Sequence, residues 1–98
     1  MDLRPGTLNL FILRAVAEQP RHGYAIASWL RAASGGELAV EEGALYHALH
    51  RLERQGWLRA TPGSSDQNRQ AKYYRLTPAG RRALERESRS WSDYARLV

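Results

Sequence analysis

The chain has 98 residues, which corresponds to one domain near the lower end of what folds alone. Hydrophobic residues make up 43% of it, which argues against global disorder. The lack of cysteine excludes disulfides, thiol catalysis and the usual cysteine-ligated zinc. The most apolar run, residues 8–17, is too short to span a membrane, and no export signal is recognisable, so we expect a cytoplasmic protein. A core this small also favours a homodimer.

The net charge of +5 is concentrated in one part of the chain. Residues 1–49 hold four arginines against five acids, a net of −1, whereas residues 50–86 hold nine basic residues against three acids, a net of +6. Residues 87–98 are balanced. A local basic surface is expected where phosphates are neutralised, although an arginine-rich solvated surface explains the charge alone equally well.

A first helix is predicted from about Gly6 or Thr7 to Glu18, with Thr7 as a candidate N-cap. Its inward stripe comprises Leu8, Phe11, Ile12 and Ala15. Leu10 and Leu13 lie off this stripe, which favours a second apolar surface and a dimer contact over a fully buried central helix.

A second helix is predicted after the break at Pro20, from about His22 to Ala33. The residues spaced to face inward are Tyr24, Ile26, Ala27 and Leu30. Gly35 and Gly36 provide the left-handed backbone conformation that ends many helices, and residues 37–40 form an extended connector.

A third helix is predicted to begin near Glu41 and to stop at Gly56, and its two faces differ in character. The apolar face comprises Leu45, Ala48, Leu49 and Leu52. The opposite face comprises Gly43, His47, His50 and Arg54, flanked by Tyr46 and Arg51. Small residues at the start of the helix permit close approach to base edges, so this face is the candidate reading face.

A basic hairpin is predicted directly after the third helix. A strand begins at Trp57 and Leu58, residues 61–68 are rich in turn formers, and the return strand covers residues 71–76. On the return strand, Tyr74 and Leu76 share the inward face, and Tyr73 and Arg75 the other. A helix followed by a basic hairpin in a small cationic protein is typical of a winged helix-turn-helix.

The last helix is predicted from Pro78 to about Leu97, with Thr77 as its N-cap. A narrow seam recurs on it at Leu84, Ser88, Trp91, Ala95 and Val98. A heptad seam on an otherwise polar helix favours packing against a partner helix over packing on its own domain. The predicted fold is therefore mainly α with a small β-hairpin: a winged helix-turn-helix in residues 1–76 and a dimerisation helix in residues 77–98, within one compact unit.

Several segments, in this order, resemble the PadR family of bacterial transcription regulators. They are Gly6-Thr7-Leu8, His22-Gly23-Tyr24, Glu42-Gly43-Ala44-Leu45-Tyr46, Leu49-His50-Arg51-Leu52-Glu53, and Lys72-Tyr73-Tyr74-Arg75-Leu76-Thr77 followed by Gly80. The resemblance covers nearly the whole chain. It departs from the family at His47, where proline is common, and in the wing, which reads Asn68-Arg69-Gln70-Ala71-Lys72 instead of a Gly-Gly-Arg pattern.

The resemblance implies a homodimeric, ligand- or stress-responsive regulator of the short subfamily, most often a repressor, with winged-helix DNA binding and C-terminal dimerisation. It also implies that Trp91 lies at the dimer interface, beside a space for a planar aromatic effector. The predicted effector or dimer-interface residues are Leu8, Leu10, Phe11, Leu84, Trp91 and Ala95. A tightly packed seam with no cavity is the alternative.

The predicted partner is double-stranded DNA carrying a palindromic operator. The residues expected to hold phosphates are Arg51, Arg54, Arg69 and Lys72. Those expected to face bases or the groove wall are Gly43, Ala44, Tyr46, His47 and His50. Tyr46 could instead be a flanking core residue, and Arg69 or Lys72 solvated wing charges.

No catalytic residue, cofactor or metal site is predicted, so an enzyme is not expected. His47 and His50 are three residues apart and could share a metal, but no further ligand in the sequence completes a site. The remaining alternative is a winged helix that contacts another protein and has no specific DNA site.

Overall fold

The computed structural model describes residues 5–64 and 70–97, with side chains described for residues 6–64 and 71–89. In chain order the elements are α1 (Pro5–Glu18), β1 (Arg21–His22), α2 (Gly23–Ala33), α3 (Glu42–Arg54), β2 (Leu58–Ser64), β3 (Gln70–Leu76) and α4 (Pro78–Leu97). The prediction of a mainly helical fold with a small β-hairpin is confirmed, and the hairpin is part of a small antiparallel sheet. Within the described residues the sheet has three strands in the order β1-β3-β2, because β1, which was not predicted, pairs with β3.

The β2–β3 hairpin is longer than its turn-rich sequence indicated. Residues 61–64 were predicted as turn, but they pair in antiparallel register with β3, as in Thr61 opposite Tyr73 and Ser64 opposite Gln70. Pro62 is compatible with this position because β2 lies at the edge of the sheet, where a missing amide donor is tolerated. The predicted faces of β3 are confirmed, since Tyr74 is buried and Arg75 is exposed.

Helix α1 lies in the centre of the molecule and packs against α2, α3, α4 and β3. Because neighbours surround it, adjacent turns are buried in more than one direction, and Leu13 is as fully buried as Ile12. The prediction that Leu13 belongs to a separate dimer surface is therefore wrong. Thr7 is also not the N-cap, since it lies inside α1, which already includes Pro5 and Gly6.

The junction between α1 and α2 is held by side chains that bond to helix ends. Arg21 Nε donates to the carbonyl of Ala15 (2.6 Å), and the Glu18 carboxylate accepts from both Arg21 (2.9 Å) and Trp29 Nε1 (3.0 Å). His22 is the N-cap of α2, because its Nδ1 accepts from the amide of Ala25 (3.1 Å). These bonds hold α2 in its orientation relative to α1.

Tyr24 was predicted to face inward, and this prediction is wrong. Its side chain is 80% exposed, whereas Ile26 and Leu30 on the same helix are fully buried. The helical spacing predicts the buried Ile26 and Leu30 correctly, but Tyr24 is in the first turn of α2, and its side chain is outside the core.

The C-terminal end of α3 and the start of α4 follow the sequence signals closely. Gly56 adopts φ +81°, and the bonds from Gly56 N to the Glu53 carbonyl and from Trp57 N to the Leu52 carbonyl (both 3.0 Å) form a Schellman motif. The hydroxyl of Thr77 accepts from the amide of Gly80 (2.9 Å), which confirms the predicted N-cap of α4.

The first part of α4 packs on its own domain. Ala83 is fully buried in the core, and Leu84, predicted to lie in a seam between protomers, packs against the same core. One turn later, the exposed side chain of Arg14 donates to the hydroxyl of Ser88 (3.4 Å). The side chains of Trp91, Ala95 and Val98 lie outside the described residues. Leu84 is half-buried against this core, and its place in a seam between protomers stays a prediction.

Candidate nucleic-acid interface

Helix α3 separates a buried face from an exposed one. Leu45, Ala48, Leu49 and Leu52 are at most 2% exposed, as predicted. The exposed residues of the opposite face are Gly43, Ala44, Tyr46, His47, His50 and Arg54. The amphipathic spacing therefore brings nearly all the predicted contact residues of this helix onto one accessible surface.

The start of α3 presents little side-chain bulk. Its N-cap, Glu41, makes no side-chain capping bond, and the acidic Glu42 in the first turn is favoured by the helix dipole instead. A Cβ added at Gly43 would meet no atom within 4 Å beyond its own stretch of helix. The space over this end of the helix is therefore open, as close approach to a ligand requires.

Tyr46 lies between the surface and α2. Its side chain is 43% exposed, and its hydroxyl would lie 3.3 Å from a Cβ placed on Gly23. Gly23 thus provides the room in which the ring rests, and α2 supports the ring from one side. The ring is a helix-flank packing residue with an accessible edge, and its contact with DNA stays a prediction.

Arg51 and Arg54 occupy different environments, although both were predicted as phosphate contacts. Arg54 is exposed in the last turn of α3, where a positive charge is favoured by the helix dipole. Arg51 is half-buried, and its Nη2 donates to Oδ1 of Asn9 on α1 (3.0 Å). Asn9 was not singled out from the sequence, because a contact across 42 residues has no local signal.

The outer face of the hairpin is organised by Tyr73. Its hydroxyl donates to the carbonyl of Ser64 (2.6 Å), and a Cβ on Gly63 would lie only 2.6 Å from its ring. The ring of His22 packs edge-on against it, with centroids 5.4 Å apart. Glycine at position 63 therefore lets the aromatic ring lie flat across the strand and stiffen the hairpin.

The basic residues of the hairpin are accessible where they are described. Lys72 is exposed, and Arg69 lies outside the described residues. Arg59 and Arg75 face each other directly across β2 and β3, and both are exposed. Neither was named as a contact from the sequence, although the inward placement of Tyr74 and Leu76 already implied that Arg75 points outward.

The inner face of the same strand is apolar. Burial raises the pKa of the Tyr74 phenol above its ordinary value, and the nearby Glu53 carboxylate and Tyr46 act in the same direction. Tyr74 is therefore neutral at physiological pH and belongs to the core, while Lys72 and Arg75 of the same strand are exposed.

The predicted effector and dimer residues are only partly gathered together. Leu8, Phe11 and Leu84 are half-buried and pack against the chain's own core. Leu10 is half-buried as well. The side chains of Trp91 and Ala95 lie outside the described residues. A shallow depression in the described surface lies elsewhere, lined by Arg21, His22, Tyr24, Ala25, Ser28 and Trp29.

Two further features of the described residues concern metal ligands and membrane spans. No group of three or more potential metal ligands comes together there, and His47 and His50 both project from the exposed face of α3. No helix in the described ranges combines the length and the apolar character that crossing a bilayer demands.

Comparison with known proteins identifies the family. The Transcriptional regulator PadR-like family matches residues 12–86, which is more than half of the chain. The chain belongs to this family. The match includes α2, α3, the hairpin and the first part of α4, so the PadR-like assignment rests on the elements that carry the candidate interface.

Individual transcriptional regulators match over most of their length. The transcriptional regulator Rv3488 of Mycobacterium tuberculosis is 36% identical, over 99% of this chain and 87% of that protein. The crystal structure of a PadR-like transcriptional regulator from Bacillus cereus superposes with a TM-score of 0.83 at 27% identity, covering 95% of this chain and 88% of that one. A PadR-like transcription factor from Bacteroides fragilis gives a TM-score of 0.82 at 32% identity, covering 97% and 89%. The protein is thus a PadR-like transcriptional regulator.

Proposed function

We propose that this PadR-like regulator is a homodimeric, sequence-specific DNA-binding repressor that acts in the cytoplasm and is released from its operator by a planar aromatic effector. It carries out no catalysis in this proposal and needs no cofactor. The winged helix-turn-helix of residues 1–76 binds the DNA, and α4, within residues 77–98, joins the two protomers.

The exposed face of α3 is the observation that carries the proposal. It combines small residues at the N-terminal end with two histidines and a C-terminal arginine, opposite four buried apolar residues. In the proposed complex, Gly43 and Ala44 allow close approach to base edges, and His47 and His50 hydrogen-bond to purine acceptors in the major groove.

The hairpin supplies phosphate contacts beside the reading helix. Lys72 on β3 is exposed and Arg54 is exposed at the end of α3, so both are available to neutralise phosphates. Arg69 is proposed to do the same from the sequence alone. Because each contact releases condensed counterions, the affinity falls steeply with salt, by about 0.9 in log–log slope for each phosphate held.

Selection of bound DNA from random duplexes tests the proposal. Enrichment of a palindrome with half-sites about one helical turn apart is the expected result. Failure to enrich any sequence, together with little affinity for duplex DNA at physiological salt, would contradict it and favour a winged helix that contacts another protein. Replacement of His47 by alanine is expected to weaken discrimination at one position of each half-site, read out by repeating the selection.

The effector is tested separately from DNA binding. We propose that Trp91, with Leu8, Leu10, Phe11, Leu84 and Ala95 as neighbours, forms the effector site at the dimer seam. Planar aromatic compounds are then expected to quench tryptophan fluorescence in a variant that keeps Trp91 alone, with Trp29 and Trp57 replaced by phenylalanine. Quenching that persists after Trp91→Ala in the otherwise unchanged chain, at the same ligand affinity, would exclude this site.

A further inference from the structure

The hydrogen bond between Arg51 and Asn9 joins the reading helix to the central helix of the fold. Arg51 Nη2 donates to Asn9 Oδ1 at 3.0 Å, and both side chains are half-buried. Arg54, three residues further along α3, is exposed. Two arginines that appear equivalent in the sequence are therefore held in different ways.

The partner of Arg51 is neutral, and this bears on its role. An arginine paired with a carboxylate would have its charge balanced, whereas an amide oxygen accepts a directed hydrogen bond without neutralising the guanidinium. The bond fixes the direction of the planar group toward α1 and consumes side-chain freedom in doing so. Such an arrangement suits a brace between helices better than a mobile contact to a phosphate.

We propose that Arg51 is a positioning residue, which sets the orientation of α3 on α1 through Asn9 and does not bind DNA phosphate. This inference rests on the proposed function as a DNA-binding dimer. Asn9 lies between Leu8 and Leu10 on α1, and α1 also packs against α4, the proposed dimerisation helix. The bond therefore connects α3 to α1, which packs against α4. In the proposed dimer, α4 sets the distance between the two α3 helices.

The consequence for DNA recognition is a tighter requirement on half-site spacing. If α3 can tilt on α1, each protomer still fits its own half-site, but the pair tolerates a wrong spacing more readily. Loss of the bond between Arg51 and Asn9 lowers the affinity for the correctly spaced operator. It also reduces the difference in affinity between that operator and one with an inserted base pair between the half-sites.

A set of variants tests this with the full chain and its selected operator. Arg51→Met keeps the length of the side chain and removes its donors, Asn9→Ala removes the acceptor, and the double variant completes a cycle. Each single variant is expected to bind the operator about tenfold more weakly, which lies within the usual range for coupling between sites. The double variant is expected to be no weaker than either single variant, since both remove the same bond.

The salt dependence separates a brace from a phosphate contact. Arg54→Met is the matched control, and it is expected to reduce the log–log slope by about 1.8, because a dimer loses two contacts of about 0.9 each. Arg51→Met and Asn9→Ala are expected to leave the slope unchanged and to reduce the preference for the correct spacing. Arg54→Met is expected to keep that preference. Thermal unfolding of each variant establishes that it is folded at the temperature of the binding measurements.

Two results overturn the proposal in distinguishable ways. If Arg51→Met lowers the slope as Arg54→Met does while Asn9→Ala binds like the wild type, Arg51 is a phosphate contact and DNA binding stands. If the wild-type chain selects no operator at all, the proposed function is wrong and the positioning role falls with it.

Discussion

Replacement of Gly80 by alanine gives a sharp test of how α4 is seated on the domain. Gly80 lies in the first turn of α4, under the chain segment that leaves α3. A Cβ at this position would lie 2.8 Å from Leu76 Cδ1 and 2.9 Å from the carbonyl carbon of Trp57, and closer still to the Trp57 carbonyl oxygen. That oxygen also accepts the amide of Thr77 (3.1 Å), so it cannot move away without weakening a bond at the start of the helix.

Two effects of opposite sign decide the magnitude. Helix propensity alone favours alanine over glycine by at most about 1 kcal/mol. Forcing an extra carbon into a packed site costs about 1–3 kcal/mol, and more when the obstruction is backbone rather than a flexible side chain. We therefore expect Gly80→Ala to lower the free energy of unfolding by about 2 kcal/mol, which corresponds to a fall in Tm of roughly 10 °C for a domain of this size.

Urea and thermal unfolding followed by circular dichroism, at one fixed protomer concentration, measure this change. The fixed concentration is needed because a dimer's apparent stability depends on it. Gly43→Ala is the matched control, since Gly43 also lies in the first turn of a helix but has no atom beyond its own stretch of helix within 4 Å of its Cβ position. It is expected to be neutral or slightly stabilising. A Gly80→Ala chain as stable as the wild type would show that the close packing of α4 against Trp57 is wrong.

Two further predictions concern the cap of α4 and the buried tyrosine. Thr77→Ala removes the cap of Gly80 N and the bond to the Gly56 carbonyl (2.6 Å), so it is expected to lower the free energy of unfolding, measured in urea, by about 1–2 kcal/mol. Thr77→Ser keeps the hydroxyl and is expected to retain most of this stability. Equal losses in the two variants would contradict the capping role. Because the folded state raises the pKa of Tyr74, it binds more protons than the unfolded state above about pH 10, and stability falls as the pH rises there. Tyr74→Phe is expected to lessen this fall in urea unfolding measured across that pH range.

The sequence predicts well those features that depend on neighbours along the chain. The inward residues of α3 follow from helical spacing alone. The end of α3 follows from Gly56, and the start of α4 follows from Thr77 and Pro78. The candidate reading face is predictable for the same reason, since it is the complement of a buried stripe.

Features that depend on distant parts of the chain were missed. Leu13 is buried because four other elements surround α1, and a helical wheel gives the direction of a side chain but not what lies in that direction. Tyr24 has the spacing of a core residue but lies beyond the edge of the core. The Arg51–Asn9 bond and strand β1 both join segments far apart in sequence, so no local pattern indicates them.

Strand β1 has a consequence for how the domain avoids unwanted association. An uncovered strand edge offers free amides and carbonyls to any other extended chain, and proteins commonly shield such edges. Arg21 and His22 pair with Tyr74 and Tyr73 and so occupy the side of β3 that faces away from β2. Because this pairing closes a loop of about fifty residues, it carries a larger entropic cost than the hairpin and is expected to form late in folding. Arg21 and His22 thus protect this part of the β3 edge from pairing with another strand only after the rest of the domain has folded.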